Sequence, residues 1–247
     1  MHRSRLVGTA CVMGLVFHAC AQNTHELKWG LDAPLLGGPI VLHGAVILGF
    51  GAGDRVHPDV GIVLDRSAVN GFDRWATFQY SEGTAKASDW MFLGVTAVSL
   101  AGMIVQQKGE QPLVPVVLAA ESFLLTSSIT NLTKELVQRP RPYRYNPDAP
   151  AHLHTEDEGY LSFWSGHTAN CAALTFTAAS VLQRSDLSRG AKTGVWIGAA
   201  TVPAVMGYLR VRSGKHFPTD VIVGYAVGAA IGWLVPYLHR KELVPPR

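Results

Sequence analysis

The sequence predicts an all-α fold: a helical bundle of about six apolar helices, set in a membrane, with a reaction site at one end of the bundle. Three observations carry that expectation. Hydrophobic residues make up 48% of the 247 and charged ones only 16%, well under the quarter usual in a soluble domain. Six apolar segments follow an N-terminal leader, each long enough for a helix of about 18–26 residues. The residue types that do chemistry sit where those segments end. Mean hydropathy, at +0.16, is low for a chain mostly in lipid, so a soluble periplasmic bundle of the same helices stands as the alternative. A net charge of +3 is too small to argue for nucleic acid.

Residues 1–21 read as a secretory signal: His2, Arg3 and Arg5, an apolar stretch from Leu6 to Phe17, then Ala19-Cys20-Ala21 as a small-residue cleavage site. Cleavage after Ala21 is the favoured reading. An uncut anchor helix and a lipoprotein signal acylated at Cys20 are the alternatives, the second weakened by bulky Phe17 and His18. Residues 22–247 then form one helical domain, in which Cys171 is the lone cysteine, a small buried hydrophobe with no disulfide partner.

The apolar segments run over 34–53, 90–107, 112–137, 167–183, 192–211 and 218–239. The first carries Pro39, His43 and several glycines. After a cleaved signal the parity of five later spans leaves it no simple crossing, so it is expected to lie along or partly inside the membrane. Glu121 is the buried charge of the third segment, and a polar partner within the bundle accounts for it. The run "TSSITNLTK" (126–134) would make a poor lipid-facing surface and is expected to face the interior beneath the site. Arg184, Arg189, Lys192, Arg240, Lys241 and Arg247 mark one end of the bundle as cytoplasmic. The polar connection 139–165 and the turn 212–215 then face the other side. Their positive charge breaks the positive-inside rule and asks for a reason, of which a ligand is one.

Three blocks hold the unusual residues: "KELVQRPRP" from Lys134, "WSGH" from Trp164 and "RVRSGKHFPTD" from Arg210. Lys134, Arg141 and Arg210 are cations that repel one another without an anion among them; guanidinium forks suit phosphate oxygens, and an ammonium adds a point charge. Ser165 and Gly166 open a helix whose free amides and positive dipole end complete an oxyanion cradle. Neutral His216 can attack phosphorus while Asp220, in the first turn after Pro218, holds its other ring nitrogen. His167 can protonate the leaving alkoxide and then activate water. The cations neutralise the transferring group directly, so this chemistry asks for no metal and no cofactor. His152 and His154 in "HLHTEDE" read as a solvated loop rather than as metal ligands.

Taken together, Lys134-x6-Arg141-Pro142, Ser165-Gly166-His167 and Arg210-x5-His216-x3-Asp220 resemble the three-part signature of the type 2 phosphatidic acid phosphatase and vanadium haloperoxidase superfamily. The resemblance spans Lys134 to Asp220. It implies His216 as nucleophile, Asp220 as its partner and His167 as general acid. Lys134, Arg141, Ser165, Gly166 and Arg210 would be the phosphate ligands. Two positions depart from the pattern: Trp164 stands for the usual proline, with an expected effect on the pocket mouth, and Leu209 for the usual serine. The expected activity is hydrolysis of a phosphate monoester or pyrophosphate of an envelope lipid through a phosphohistidine, at the periplasmic face of an inner membrane. The partners would be a phosphorylated lipid or small phosphate ester and the surrounding membrane lipid. Alternatives are a broad-specificity periplasmic acid phosphatase, a vanadate-dependent haloperoxidase and a non-enzymatic lipid-binding or transport protein.

Overall fold

The structure is a computed structural model that describes residues 24–50, 59–106 and 113–241. The signal expected over 1–21 lies outside the described residues. Among the described residues seven α-helices occur in the order α1 Trp29–Phe50, α2 Gly71–Arg74, α3 Glu82–Gln106, α4 Val114–Val137, α5 Gly166–Leu182, α6 Arg189–Arg212 and α7 Pro218–Leu238, with short 3-10 turns in the connections. Four of them, α3, α4, α6 and α7, are long and apolar enough to cross a membrane.

Each long helix starts and stops for a local reason. Leu113 precedes Pro115, a first-turn proline that gives up an amide no helix would use. At the other end of α4, Gln138 takes the left-handed conformation (φ 46°) and returns its amide to the Lys134 carbonyl. Pro140 and Pro142 then forbid any continuation. Ser165 and Ser188 cap α5 and α6 through their hydroxyls.

Nearly every residue of α5 is buried, and α3, α4, α6 and α7 surround it. Its closest neighbour is α7, and the reason is a stripe of glycines one turn apart. A Cβ on Gly228 would stand 2.0 Å from the Ala169 carbonyl oxygen, and one on Gly232 would stand 2.3 Å from that of Ala173. Further along, Met103, Val114, Leu118, Leu174, Ile231 and Val235 close the core between α3, α4, α5 and α7.

Residues Trp29–Phe50 form one helix that follows α4 in the same direction, with Ser128 Oγ donating to the Pro39 carbonyl (2.8 Å) and Asn131 Nδ2 beside His43 Nδ1 (3.3 Å). The N-terminal segment before it pairs with residues 239–241: the amide of Glu26 donates to the His239 carbonyl and that of Lys241 to the Thr24 carbonyl. Residue 24 and residue 241 therefore share one end of the bundle. The polar face of α4 turns inward as expected, with Thr126, Ser128 and Thr130 all buried, and so is Cys171.

Candidate active site

At the opposite end, α4, α6 and the 138–165 connection deliver their cations to the start of α5 and α7. His216 lies on the turn between α6 and α7, which exists because Gly214 adopts φ +72°. A side chain at that position would meet the Gln79 carbonyl at 2.4 Å. The amides of Lys215 and His216 both return to the Arg210 carbonyl, so the guanidinium and the imidazole share one turn.

His216 is 1% exposed. Its Nδ1 lies 2.8 Å from the Ser162 carbonyl oxygen. A carbonyl only accepts, so Nδ1 carries the proton and Nε2 keeps its lone pair, the tautomer a nucleophile needs. Burial first, then the charges of Arg141, Arg210, Lys134 and His167, hold the imidazole pKa well below its ordinary value. It is a neutral base among cations.

The expected hydrogen bond from His216 to Asp220 is not the one formed. The carboxylate stands 3.7 Å from Nδ1, while its oxygens accept from the Phe217 amide (2.9 Å), Ser162 Oγ (2.6 Å) and Arg139 Nη1 (2.5 Å). Asp220 sits in the first turn of α7, where capping the Phe217 amide fixes its direction. Through Ser162 and Phe217 it holds both sides of His216 in place. Arg139 extends this network: it also binds Asp73 (2.8 Å) and lies 4.0 Å over the Phe217 ring. Asp73 is completely buried; burial would raise its carboxyl pKa, but hydrogen bonds from Arg139, Thr219 and Asn70 outweigh that and lower it.

The other expected residues divide into two groups. Arg141 and Arg210 are buried, and Arg141 Nε and Nη1 and Arg210 Nε lack a hydrogen-bond partner among the described residues. Buried guanidinium donors left unpaired are costly unless an anion meets them. Lys134 approaches the helix tip, where a Cβ on Gly166 would come within 3.8 Å of its Nζ. Ser165 behaves differently from expectation. Its hydroxyl caps Thr168 (2.9 Å to Oγ1, 3.4 Å to the amide) and its own amide donates to the Asp220 carbonyl, so the first-turn amides of Gly166 and His167 are what the tip offers an anion. Arg212 is exposed and bonds Gln79, away from the cluster. Trp164, expected at the pocket mouth, is buried and donates to Thr130 Oγ1 (2.8 Å).

Three residues absent from the sequence reading complete the site. Asp89, on the first half of α3, places Oδ1 3.0 Å from His167 Nε2 and 3.4 Å from Arg210 Nη1. Glu158, from the connection, bonds Arg141 at 2.7 Å. The charge of Arg141 lowers its carboxyl pKa most, with Lys215, Lys134 and Arg210 adding to the effect against burial. Ser162 contributes a main-chain carbonyl. A cavity of about 510 Å³ opens over these groups, lined by Asp89, Glu158, His167, Arg210 and Lys215 among others. The solvated loop expected around His152 and His154 is a wall of this region, with His154 buried. Much of the surplus positive charge at this end is paired internally: Arg139 with Asp73 and Asp220, Arg144 with Asp59.

A family model described as the PAP2 superfamily matches residues 115–243. Over 118 residues the chain is 35% identical to a decaprenylphosphoryl-5-phosphoribose phosphatase of Mycobacterium tuberculosis, covering 47% of this chain and 57% of that one. Over 115 residues it is 32% identical to phosphatidylglycerophosphatase B of Bacillus subtilis, covering 46% and 52%. The chain spans about half the length of the curated relatives it matches. A solved structure, the transmembrane PAP2 type phosphatidylglycerolphosphate phosphatase from Bacillus subtilis, has a TM-score of 0.49 at 21% identity, over 84% of this chain and 94% of that one.

Proposed function

This chain belongs to the PAP2 superfamily, and from that membership we propose that it is a phosphatase that removes a phosphoryl group from a membrane lipid through a phosphohistidine. The observation that carries the reading is His216: a neutral imidazole, its Nδ1 proton on a carbonyl, among buried guanidinium groups with unpaired donors.

In the first step the His216 Nε2 lone pair forms a bond to phosphorus as the ester P–O bond breaks. Arg141, Arg210, Lys134 and the amides of Gly166 and His167 take up the charge on the transferring oxygens. His167 gives its proton to the departing alkoxide. Burial and then the Arg210 charge lower the His167 pKa, which makes its proton easy to give up, and Asp89 beside it opposes them by favouring the imidazolium, the acid form required at that moment. In the second step His167 takes a proton from water, the hydroxide oxygen bonds to phosphorus, and the P–N bond breaks to release inorganic phosphate and restore His216. Asp220 and Arg139 keep the nucleophile aimed.

The substrate class is a phosphomonoester or diphosphate carried by a lipid. Four helices fit to span a bilayer support it, as do two relatives named for phosphorylated-lipid substrates. The site faces outward from an inner membrane, because Arg184, Arg189, Lys192, Arg240 and Lys241 gather at the other end of the bundle. Purified protein in detergent should release inorganic phosphate from lipid phosphomonoesters, and His216→Ala should lower kcat at least about a thousandfold with the helical far-UV spectrum retained. Activity that survives His216→Ala would refute the nucleophile. Release of the protein by osmotic shock without detergent would instead favour a soluble phosphatase.

A further inference from the structure

A second cluster of ionisable groups lies far from this chemistry. Glu121 precedes Lys134 on α4 by roughly 20 Å, at about 1.5 Å per residue. His239 follows the far end of α7, and Asp32 lies near the start of α1. Three elements remote in sequence bring these side chains together. His239 Nε2 stands 2.8 Å from Asp32 Oδ1 and 3.5 Å from Glu121 Oε2. One ligand-capable atom from each residue lies within 4.8 Å of the others. All three residues are buried, Glu121 and His239 completely.

Two observations single this cluster out from an ordinary buried ion pair. Both carboxylate oxygens of Glu121 lack a hydrogen-bond partner among the described residues, although the side chain points into the cluster. Meanwhile His239 Nδ1 is 2.8 Å from the Val235 carbonyl and so carries its proton there. That leaves the Nε2 lone pair facing two carboxylates, an arrangement that repels unless a positive species lies among them. A proton on Nε2 would answer Asp32, and a second proton, shared between Glu121 and Asp32, would be needed to answer the other carboxylate. A divalent ion answers both.

We propose that Asp32, Glu121 and His239 bind a divalent transition-metal ion, zinc by ligand chemistry, as a structural clasp between α1, α4 and α7. One imidazole nitrogen and two carboxylate oxygens form a donor set zinc accepts, and an imidazole whose other N–H is held by a carbonyl is the usual orientation of a ligating histidine. Donors on a tetrahedral zinc stand about 3.3 Å apart, between the two separations seen here. A second carboxylate oxygen or water fills the remaining position. The clasp lies beneath the pairing of the Thr24–Lys28 region with residues 239–241, so it fixes the end of the bundle that carries no catalytic group. It stands independently of the phosphatase reading.

The test is metal analysis of the full chain, purified in detergent without chelators after growth with zinc. Wild type should hold about one zinc per chain, and Glu121→Gln should lower that at least about tenfold while phosphate release persists. Asp32→Asn serves as the second variant should Glu121→Gln misfold. A strong chelator should lower the wild-type Tm, with recovery on adding zinc, and leave the variant's Tm unmoved. Wild-type protein without stoichiometric metal, whose Tm ignores added zinc or cobalt, would overturn the proposal in favour of a shared proton. Equal metal in wild type and variant would overturn it as well.

Discussion

His216 is neutral because burial and the cations around it outweigh the Asp220 carboxylate 3.7 Å away. An unfolded chain has no such constraint, and its histidine titrates near the ordinary value of about 6.5. The folded pKa is depressed, so the unfolded state binds the extra proton first. The stability this group contributes is fully present above pH ~6.5 and is lost as pH falls through and below that value. His25, pulled down to about 4 by burial and then by Arg184, Arg240 and His239, adds a slope of the same sign. Tm measured from pH 7 down to pH 5 should therefore fall, and His216→Gln should flatten the slope in part. A variant with an unchanged slope would show that His216 is charged in the fold. At this scale the sequence made the cations, both histidines and Asp220 legible, because their spacing repeats a chemical pattern. It left Asp89 hidden, since "KASDW" has no motif and its partners His167 and Arg210 lie on other helices. Ser162 was hidden for another reason: it acts on His216 through a carbonyl that every residue has.

Helix α7 meets α5 by contact of backbone with backbone, which only a glycine face permits. At Gly228 a Cβ would fall inside the Ala169 carbonyl, and neither helix can retreat while the core residues on both stay packed. Gly228→Val should destabilise by about 3 kcal/mol, the upper end for overpacking, and lower Tm sharply in detergent. Gly194 in α6 has nothing within 4 Å of its would-be Cβ. Gly194→Ala should therefore be neutral or gain about 0.5–1 kcal/mol from helix propensity. Similar effects at both sites would show that the α5–α7 contact is not what the stripe is for. Helices α4, α5, α6 and α7 were readable to within three residues at both ends, because apolar content and caps are local, whereas α1 starts five and α3 eight residues ahead of the apolar segments that predict them. That α1 runs with α4 was not readable, because the pairing rests on contacts such as Ser128 with Pro39, 89 positions apart.

Across the whole molecule, α1 runs with α4, so residue 24 and residue 241 lie together and the candidate site lies at the far end. This sets two expectations against each other. Release of residue 22 on the outer face would put the C-terminus outside and the site inside. The cationic end argues the reverse, since Arg184, Arg240 and Lys241 favour the cytoplasm. A fluorescent protein fused after Arg247 should therefore fluoresce, and alkaline phosphatase fused there should stay inactive. Active alkaline phosphatase would invert the molecule and place the site inside. Hydrophobic segments, caps and the three blocks are written into short stretches of chain, so the sequence alone determined a helical bundle, its candidate site residues and their gathering at helix ends. Which carbonyl holds the imidazole, which carboxylate meets His167, and how Asp32, Glu121 and His239 come together depend on contacts between residues as much as some two hundred positions apart. Those contacts form only when helices pack at a particular depth and rotation, a property of the assembled core that no local run of residues contains.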